Sequence, residues 1–178
     1  MSRRIFLTVA GAIALAGLNP LPCLATERQD IVAGLDTLPM MVDKISGDVT
    51  MAIIFDAAIP ASKADADNVK AIVDAGINVP GGGKLSALLV NVNDLAKLSR
   101  VRLAFMTTGL APHFADINLV TSAASVLTVS TDISCVTAGA CIIGISNSPK
   151  LAIYFNKAAA DAAKIEFSQG FAMLVRQL

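Results

Sequence analysis

From residue 49 onward, short apolar runs rich in β-branched residues alternate with amphipathic segments, and few residues are left over between them. VTMAIIFD (residues 49–56) is the first such run, of the kind buried on both faces of a parallel sheet. PASKADADNVKAIVDAG follows it. There Val69, Ile72 and Val73 fall on one helical stripe, Ser62 with Asp65 reads as an N-terminal box, and Gly76 reads as the stop. The pattern recurs. LSALLVN (85–91) predicts a second strand and DLAKLS a short helix capped by Asn93; RLAFMTT (102–108) predicts a third strand, with Pro112 opening a helix to residue 124; VLTVS (126–130) predicts a fourth. Three βα units feeding a fourth strand predict an α/β fold, a mostly parallel sheet flanked by helices, because each right-handed crossover uses a helix to return the chain.

After the fourth strand the periodicity changes. CIIGISN and KLAIYFN, around Ser148-Pro149, predict an antiparallel hairpin on one edge of the sheet. Asn156 is placed to cap KAAADAAK, and Ser168 to cap a closing helix in QGFAMLVRQL. Between residues 26 and 47 the expectation is a helix over 31–45, interrupted at Pro39. Residues 26–178 are read as a single domain, a usual size for one core.

The first 25 residues have a different grammar. Arg3 and Arg4 precede an apolar run, rich in Ala and Gly, that is closed by Pro20 and Pro22. The run is too short to span a bilayer of roughly 30 Å, and with Ala25 as a small residue for cleavage it reads as a signal peptide. Ser-Arg-Arg-x-Phe-Leu resembles the twin-arginine export signal, although Thr8 stands where Lys is common; an ordinary secretion signal is the other reading. Pro22 before Cys23 argues against a lipid anchor. Either route makes the protein periplasmic.

Composition narrows the function. The chain is 54% hydrophobic and 16% charged, a globular balance, and without Arg3 and Arg4 it carries twelve basic against fourteen acidic residues. Such a charge would grip neither nucleic acid nor an anionic lipid surface. The exported part keeps Cys135 and Cys141 in CVTAGAC, and in an oxidising compartment a close, even pair reads as a disulfide across a short turn at Gly139. Five intervening residues fit no common zinc spacing, and His113 is the one histidine, so no metal or other cofactor is expected. A disulfide there would fix how the loop presents itself at the sheet's edge and make the protein sensitive to reductant.

GGGK (81–84) invites a phosphate-loop reading that fails: Asn78 replaces the first glycine, Leu85 replaces the Ser or Thr that would hold magnesium, and a strand follows instead of a helix. A flexible surface turn is the expectation. His113, beside Pro112, has no nucleophile motif near it and reads as a loop residue. The polar residues closing the predicted strands remain: Asp56 after the first, Thr107 and Thr108 after the third, Ser130 and Asp132 after the fourth. Carboxyl ends of strands are where open α/β sheets bind ligands, so these five are the candidate ligand-binding residues; turn and cap duty explains them as well.

The C-terminal third, VLTVSTD followed by CIIGIS and KLAIYFNKAAADAAKIEFSQGFAMLVRQL, resembles the YfiR-like family of small periplasmic regulators. Asn156, Ala159, Ile165, Ser168 and Leu174 occupy comparable places, whereas Phe167 and Gln169 depart from the commonest pattern, and the aromatic-rich opening helix of that family has no counterpart in residues 26–47. The resemblance implies a non-enzymatic signalling regulator whose partner is an inner-membrane protein, a diguanylate cyclase held inactive from outside. A second resemblance competes: AIIFDAAIPASKADADNVKAIVDAGI is similar to the first βα unit of periplasmic solute-binding proteins, which implies a single lobe for a small polar ligand, alone or as a homodimer.

Overall fold

The structure is a computed structural model that describes residues 26–178. The expected export signal at 1–25 lies outside the described residues. Among the described residues seven strands form one sheet: β1 (Val49–Phe55), β2 (Leu85–Asn91), β3 (Leu103–Met106), β4 (Leu127–Ser130), β5 (Ile143–Ser146), β6 (Ala152–Phe155) and β7 (Arg176–Gln177). Five α-helices, again among the described residues, accompany them: α1 (Arg28–Leu35), α2 (Pro60–Asp74), α3 (Phe114–Ala123), α4 (Ile133–Thr137) and α5 (Lys157–Ala162). The strand order is β2-β1-β3-β4-β5-β6-β7. β1 to β5 run parallel, β6 is antiparallel to β5, and β7 lies parallel to β6. The fold is therefore the α/β class that the alternating runs predict, with the antiparallel pair in its predicted place.

The alternation of side chains along the strands divides the core in two. Met51, Ile53, Leu103 and Phe105 join Ile31 and Leu35 of α1, Val69 and Val73 of α2, and Ala160 of α5 in one apolar layer. Ala52, Ile54, Ala104 and Met106 join Ile117 of α3 and Val136 of α4 in the other. Parallel strands buried on both faces have no polar side to show, which is why they read as continuous apolar runs. α1 settles deep on the first layer because Gly34 has no side chain: a Cβ there would stand 3.0 Å from a Val129 methyl.

Several local expectations are corrected. The helix predicted over 31–45 is instead α1, which starts at Arg28, and a 3-10 turn at Leu38–Met40 with Pro39 in its opening positions. Proline fits a helix start, so it opens the second segment and does not merely interrupt the first. The segment after β2 is a kinked 3-10 helix, Val92–Arg100, whose cap is Asn91, accepting from the Asn93 N–H; Asn93 is not the cap. No closing helix follows Ser168. Phe171–Met173 form a single 3-10 turn, and the chain then pairs with β6 as β7. Phe171 lies on the Phe155 and Phe167 rings with centroids 5.1 and 4.2 Å away, holding the segment against the sheet, while Met173 and Leu174 are exposed. That aromatic cluster and the backbone partners on β6 outweigh a modest local helix propensity.

GGGK is an exposed turn, as expected, and its backbone is tied to the segment before β1. Gly81, Gly82 and Gly83 all have positive φ, and the loop crosses the backbone before β1: the Gly47 N–H donates to the Gly82 carbonyl at 3.1 Å and the Lys84 N–H to Asp48 Oδ1 at 2.8 Å. The crossing clasps the entries to β1 and β2.

Candidate functional site

The chain leaves β1 for the sheet edge at β2 and comes back to place β3 on the other side of β1. Between the carboxyl ends of β1 and β3 lies the switch point at which open α/β sheets form a crevice. The five candidate residues all gather along this edge, but most of their polar atoms are already engaged.

Asp56 ends β1. Its Oδ1 accepts the Ala58 N–H at 2.8 Å and its Oδ2 lies 2.9 Å from His113 Nε2, so the histidine read as a loop residue is tied to the β1 end. The Ala58 amide and then His113 hold the Asp56 carboxyl below its ordinary value, against an opposing contribution from burial. A carboxylate with a lowered folded-state value adds stability that is complete above the unfolded value of about 4 and disappears as pH falls through the folded one. Thermal melts from pH 7 down to 2.5 should accordingly show an acid-side decline that is shallower in Asp56→Asn than in the parent; parallel curves would count against the linkage.

Thr107 is buried. Its hydroxyl donates to the Ile54 carbonyl at 3.0 Å, so the 2.7 Å contact with Ser62 has Ser62 donating, and Ser62 Oγ in turn accepts the Asp56 N–H at 3.0 Å. Ser130 donates to the Met106 carbonyl and accepts the Asp132 N–H, and Asp132 caps α4 by accepting from the amide and hydroxyl of Ser134. Thr107, Ser130 and Asp132 therefore serve the strand ends and helix starts.

Thr108 differs. Its N–H donates to Asp65 Oδ2 at 3.2 Å, but its hydroxyl is buried and, among the described residues, has no partner, and the same holds for Asp65 Oδ1. Thr108 lines a cleft of about 90 Å³ beyond the ends of β3, β4 and β5, closed on one side by the start of α1. Glu27, Asp30, Thr131, Ser146 and Asn147 complete most of its wall. Two of these are internally satisfied: Asp30 accepts from the Glu27 N–H at 2.7 Å and from Asn147 Nδ2 at 3.0 Å, and Thr131 shares a hydroxyl contact of 3.2 Å with Thr26. Asn68 of α2 donates to the Thr26 carbonyl at 2.6 Å, joining α2 to this corner. Among the described residues no Lys, Arg or His lines the cleft.

Sequence reasoning missed Asp65, Asp30 and Asn147. The signal for Asp65 was present. Ser62 and Asp65 sit at i and i+3, on the same face as Ala66, Val69 and Val73, whereas Lys63 with Asp67 and Lys70 with Asp74 form exposed ion pairs on a separate, solvent-facing stripe. Polar residues inside the buried stripe of α2 have no solvent to face. They are not a helix cap: the N-cap is Ile59, with Pro60 as the first helical residue.

Cys135 and Cys141 form the expected disulfide, as fits an exported protein. The bridge spans α4 and its C-terminal turn, not a bare loop, and both sulfurs are buried, with Met106 Sδ 3.3 Å from Cys141 Sγ. Among the described residues no helix is long and apolar enough to cross a membrane, and no group of three or more His, Cys, Asp or Glu is arranged to hold a metal ion.

No protein-family model matches the chain, and no curated protein is similar to it. Solved structures do share its fold. A ligand-free, open substrate-binding protein with adhesive properties from Clostridium difficile superposes with a TM-score of 0.62 at 10% identity. A conserved domain protein from Vibrio cholerae gives 0.59 at 11%, and an ABC domain in complex with L-Trp from Streptococcus pneumonia gives 0.57 at 12%. Each match covers 84% of this chain but 59% of the other, so the chain spans well under two thirds of their length. At such identities the likeness is one of fold.

Proposed function

We propose that the protein is an exported single-domain module that binds a small polar solute in the cleft beside Thr108, and that it acts by binding, not by catalysis. The observation that carries this reading is the cleft at the carboxyl ends of β3, β4 and β5, lined by Thr108, whose buried hydroxyl has no partner among the described residues. Burying such a group unpaired costs about 1–3 kcal/mol, and a ligand that pairs it recovers that cost. The structural likeness to a substrate-binding protein and to a domain holding L-Trp supports the same reading. At about 90 Å³ the cleft is smaller than the several hundred Å³ of an ordinary ligand pocket, so it fits the polar head of a solute, with the remainder reaching solvent or a second copy of the chain.

Thr108→Val tests this. Valine keeps the shape and removes the orphaned hydroxyl, so the variant should melt at the parent's temperature or above it. In a thermal-shift screen of small polar metabolites, a compound that stabilises the parent should lose most of its effect on Thr108→Val. A panel that stabilises neither protein, or both equally, would remove the assignment of this cleft.

Exposed Leu151, Met173, Leu174 and Leu178 favour a second reading. They belong to the segments around β6 and β7 and suit a protein partner, which the YfiR-like resemblance implies to be the outer part of an inner-membrane diguanylate cyclase. Crosslinking in cells that recovers such a protein through Leu174, and not through cleft residues, would support it.

A further inference from the structure

We infer that the protein carries a second binding site, separate from the Thr108 cleft and at the other end of the sheet, and that it takes a neutral aromatic ring bearing a hydrogen-bonding substituent. β6 is antiparallel to β5, and Phe155 at its end pairs with Ile143 at the start of β5. The end of β6 therefore lies at the amino-terminal edge of the parallel strands, away from Thr131 and Ser146, which line the Thr108 cleft. There a hollow of about 420 Å³ opens between Phe155, α5, the segment 165–169 and β7. Sites for small organic molecules occupy about 300–1,000 Å³, a range that this hollow reaches and the Thr108 cleft, at about 90 Å³, does not. Open α/β sheets bind ligands at the carboxyl ends of their strands, so the fold by itself does not account for a hollow at this edge.

The walls select the ligand. Aromatic residues are scarce in this chain, yet three of its seven phenylalanines, Phe155, Phe167 and Phe171, line this one hollow. Phe167 and Phe171 stack with centroids 4.2 Å apart and planes 17° apart, and Phe155 meets them edge-on at 5.2 and 5.1 Å. Phe155 and Phe171 are buried and make the floor, whereas Phe167 is half-buried and has ring surface left for a further partner. Paired rings gain more than the area they bury, so an aromatic guest extends the cluster where an aliphatic one only covers it. Charge argues for neutrality. Lys157 Nζ bonds both Asp161 oxygens, at 2.8 and 2.7 Å, which leaves Glu166 as the remaining charge among the described lining residues. An anion would meet that carboxylate. A cation would gain little from it, because Glu166 is exposed and ion pairs in water are weak. Gln169 and Gln177 stand exposed at the rim, and each amide offers both donors and an acceptor to a substituent on the ring.

Indole is the first probe. The chain has no tryptophan, so indole excited where Tyr154 does not absorb reports on itself alone. Titrated with the purified protein, its emission should move to shorter wavelength and saturate with a Kd of about 1 mM, as expected for so small a ring compound. The backbone amides of Phe167, Gln169 and Gln177 should shift along the same titration. Phe167→Leu, which keeps an apolar side chain and removes the ring, should weaken binding about fivefold, and Gln177→Ala, a surface change on β7, about threefold. Thr108→Val should bind indole as the parent does. Phenol should displace indole, and cyclohexanol should do so several-fold more weakly. Indole affinity that is equal in the parent, Phe167→Leu and Gln177→Ala, or that is lost in Thr108→Val, would overturn the site. Cyclohexanol displacing indole as well as phenol does, or benzoate or benzylammonium displacing it better, would overturn the ligand class. If Phe167→Leu loses the dispersed amide spectrum of a folded protein, Gln177→Ala and the comparison of phenol with cyclohexanol decide. If indole moves none of these amides, the hollow is only the seat of the C-terminal segment and the inference fails, while the metabolite screen on Thr108→Val still decides the solute-binding reading separately.

Discussion

Replacing Gly83 by alanine is expected to lower the free energy of unfolding by about 4 kcal/mol, the largest loss expected at any glycine among the described residues. Two effects combine. Gly83 has φ +104°, where an L residue is strained by about 1–2 kcal/mol. A Cβ there would also lie 2.1 Å from the carbonyl carbon and oxygen of Gly47 and 2.7 Å from the Asp48 nitrogen. These are backbone atoms, which cannot turn aside as a side chain can, so the crossing must part. With it go the Gly47-to-Gly82 and Lys84-to-Asp48 hydrogen bonds, at about 1 kcal/mol each. Gly82→Ala is the control. Its φ of +96° carries similar strain, but nothing lies within 4 Å of its Cβ, so about 1–2 kcal/mol should be lost. Urea denaturation of both variants decides the matter: equal costs would mean that φ strain alone, and not the backbone crossing, makes Gly83 necessary.

Removing the disulfide should come next in size. In the Cys135→Ala/Cys141→Ala protein the unfolding free energy should fall by about 3 kcal/mol, of which closing so short a loop contributes about 2 on the chain-entropy estimate. The rest follows from deleting two sulfurs packed beneath α4 against Met106. Because Cys135 and Cys141 are 0–1% exposed, the sensitivity to reductant expected from the sequence depends on access to a shielded bridge. Reductant has to wait for α4 to open. Dithiothreitol should therefore reduce the native protein at a rate that rises steeply with sub-denaturing urea, and thiol labelling of the untreated protein should find no free cysteine at 135 or 141. Reduction in native buffer as fast as in urea would contradict the burial argument, and labelling of either cysteine would contradict the bridge itself.

The candidate site was half legible. Strand ends are marked locally by the change from apolar to polar residues, so Asp56, Thr108 and Ser130 could be assigned to the correct edge of the sheet. Which of them has a polar atom to spare could not be read, because that depends on partners far along the chain. Thr107 is occupied by Ser62, 45 residues away, and Asp30 by Asn147, 117 residues away. Ser62 and Asp65 matched a helix-cap motif in sequence, yet α2 begins two residues before Ser62, which carries both of them past the cap and turns them toward the β3 end.

The α/β class, the positions of β1 to β6, the Asn156 cap of α5 and the pairing of Cys135 with Cys141 were all readable along the chain. These features rest on hydrophobic period, capping and short spacing, all of which act between neighbours in the chain. Long-range packing was needed to make the last segment a strand and not a helix, to clasp β1 to β2 through the glycine run, and to bring Asp65 and Thr108 together with oxygens that have no partner among the described residues. One energetic difference underlies all three. Local preferences here are worth a few tenths of a kcal/mol per residue, whereas a buried ring, a backbone crossing or an unpaired polar atom is worth about 1 kcal/mol or more and exists only once distant segments have been brought together.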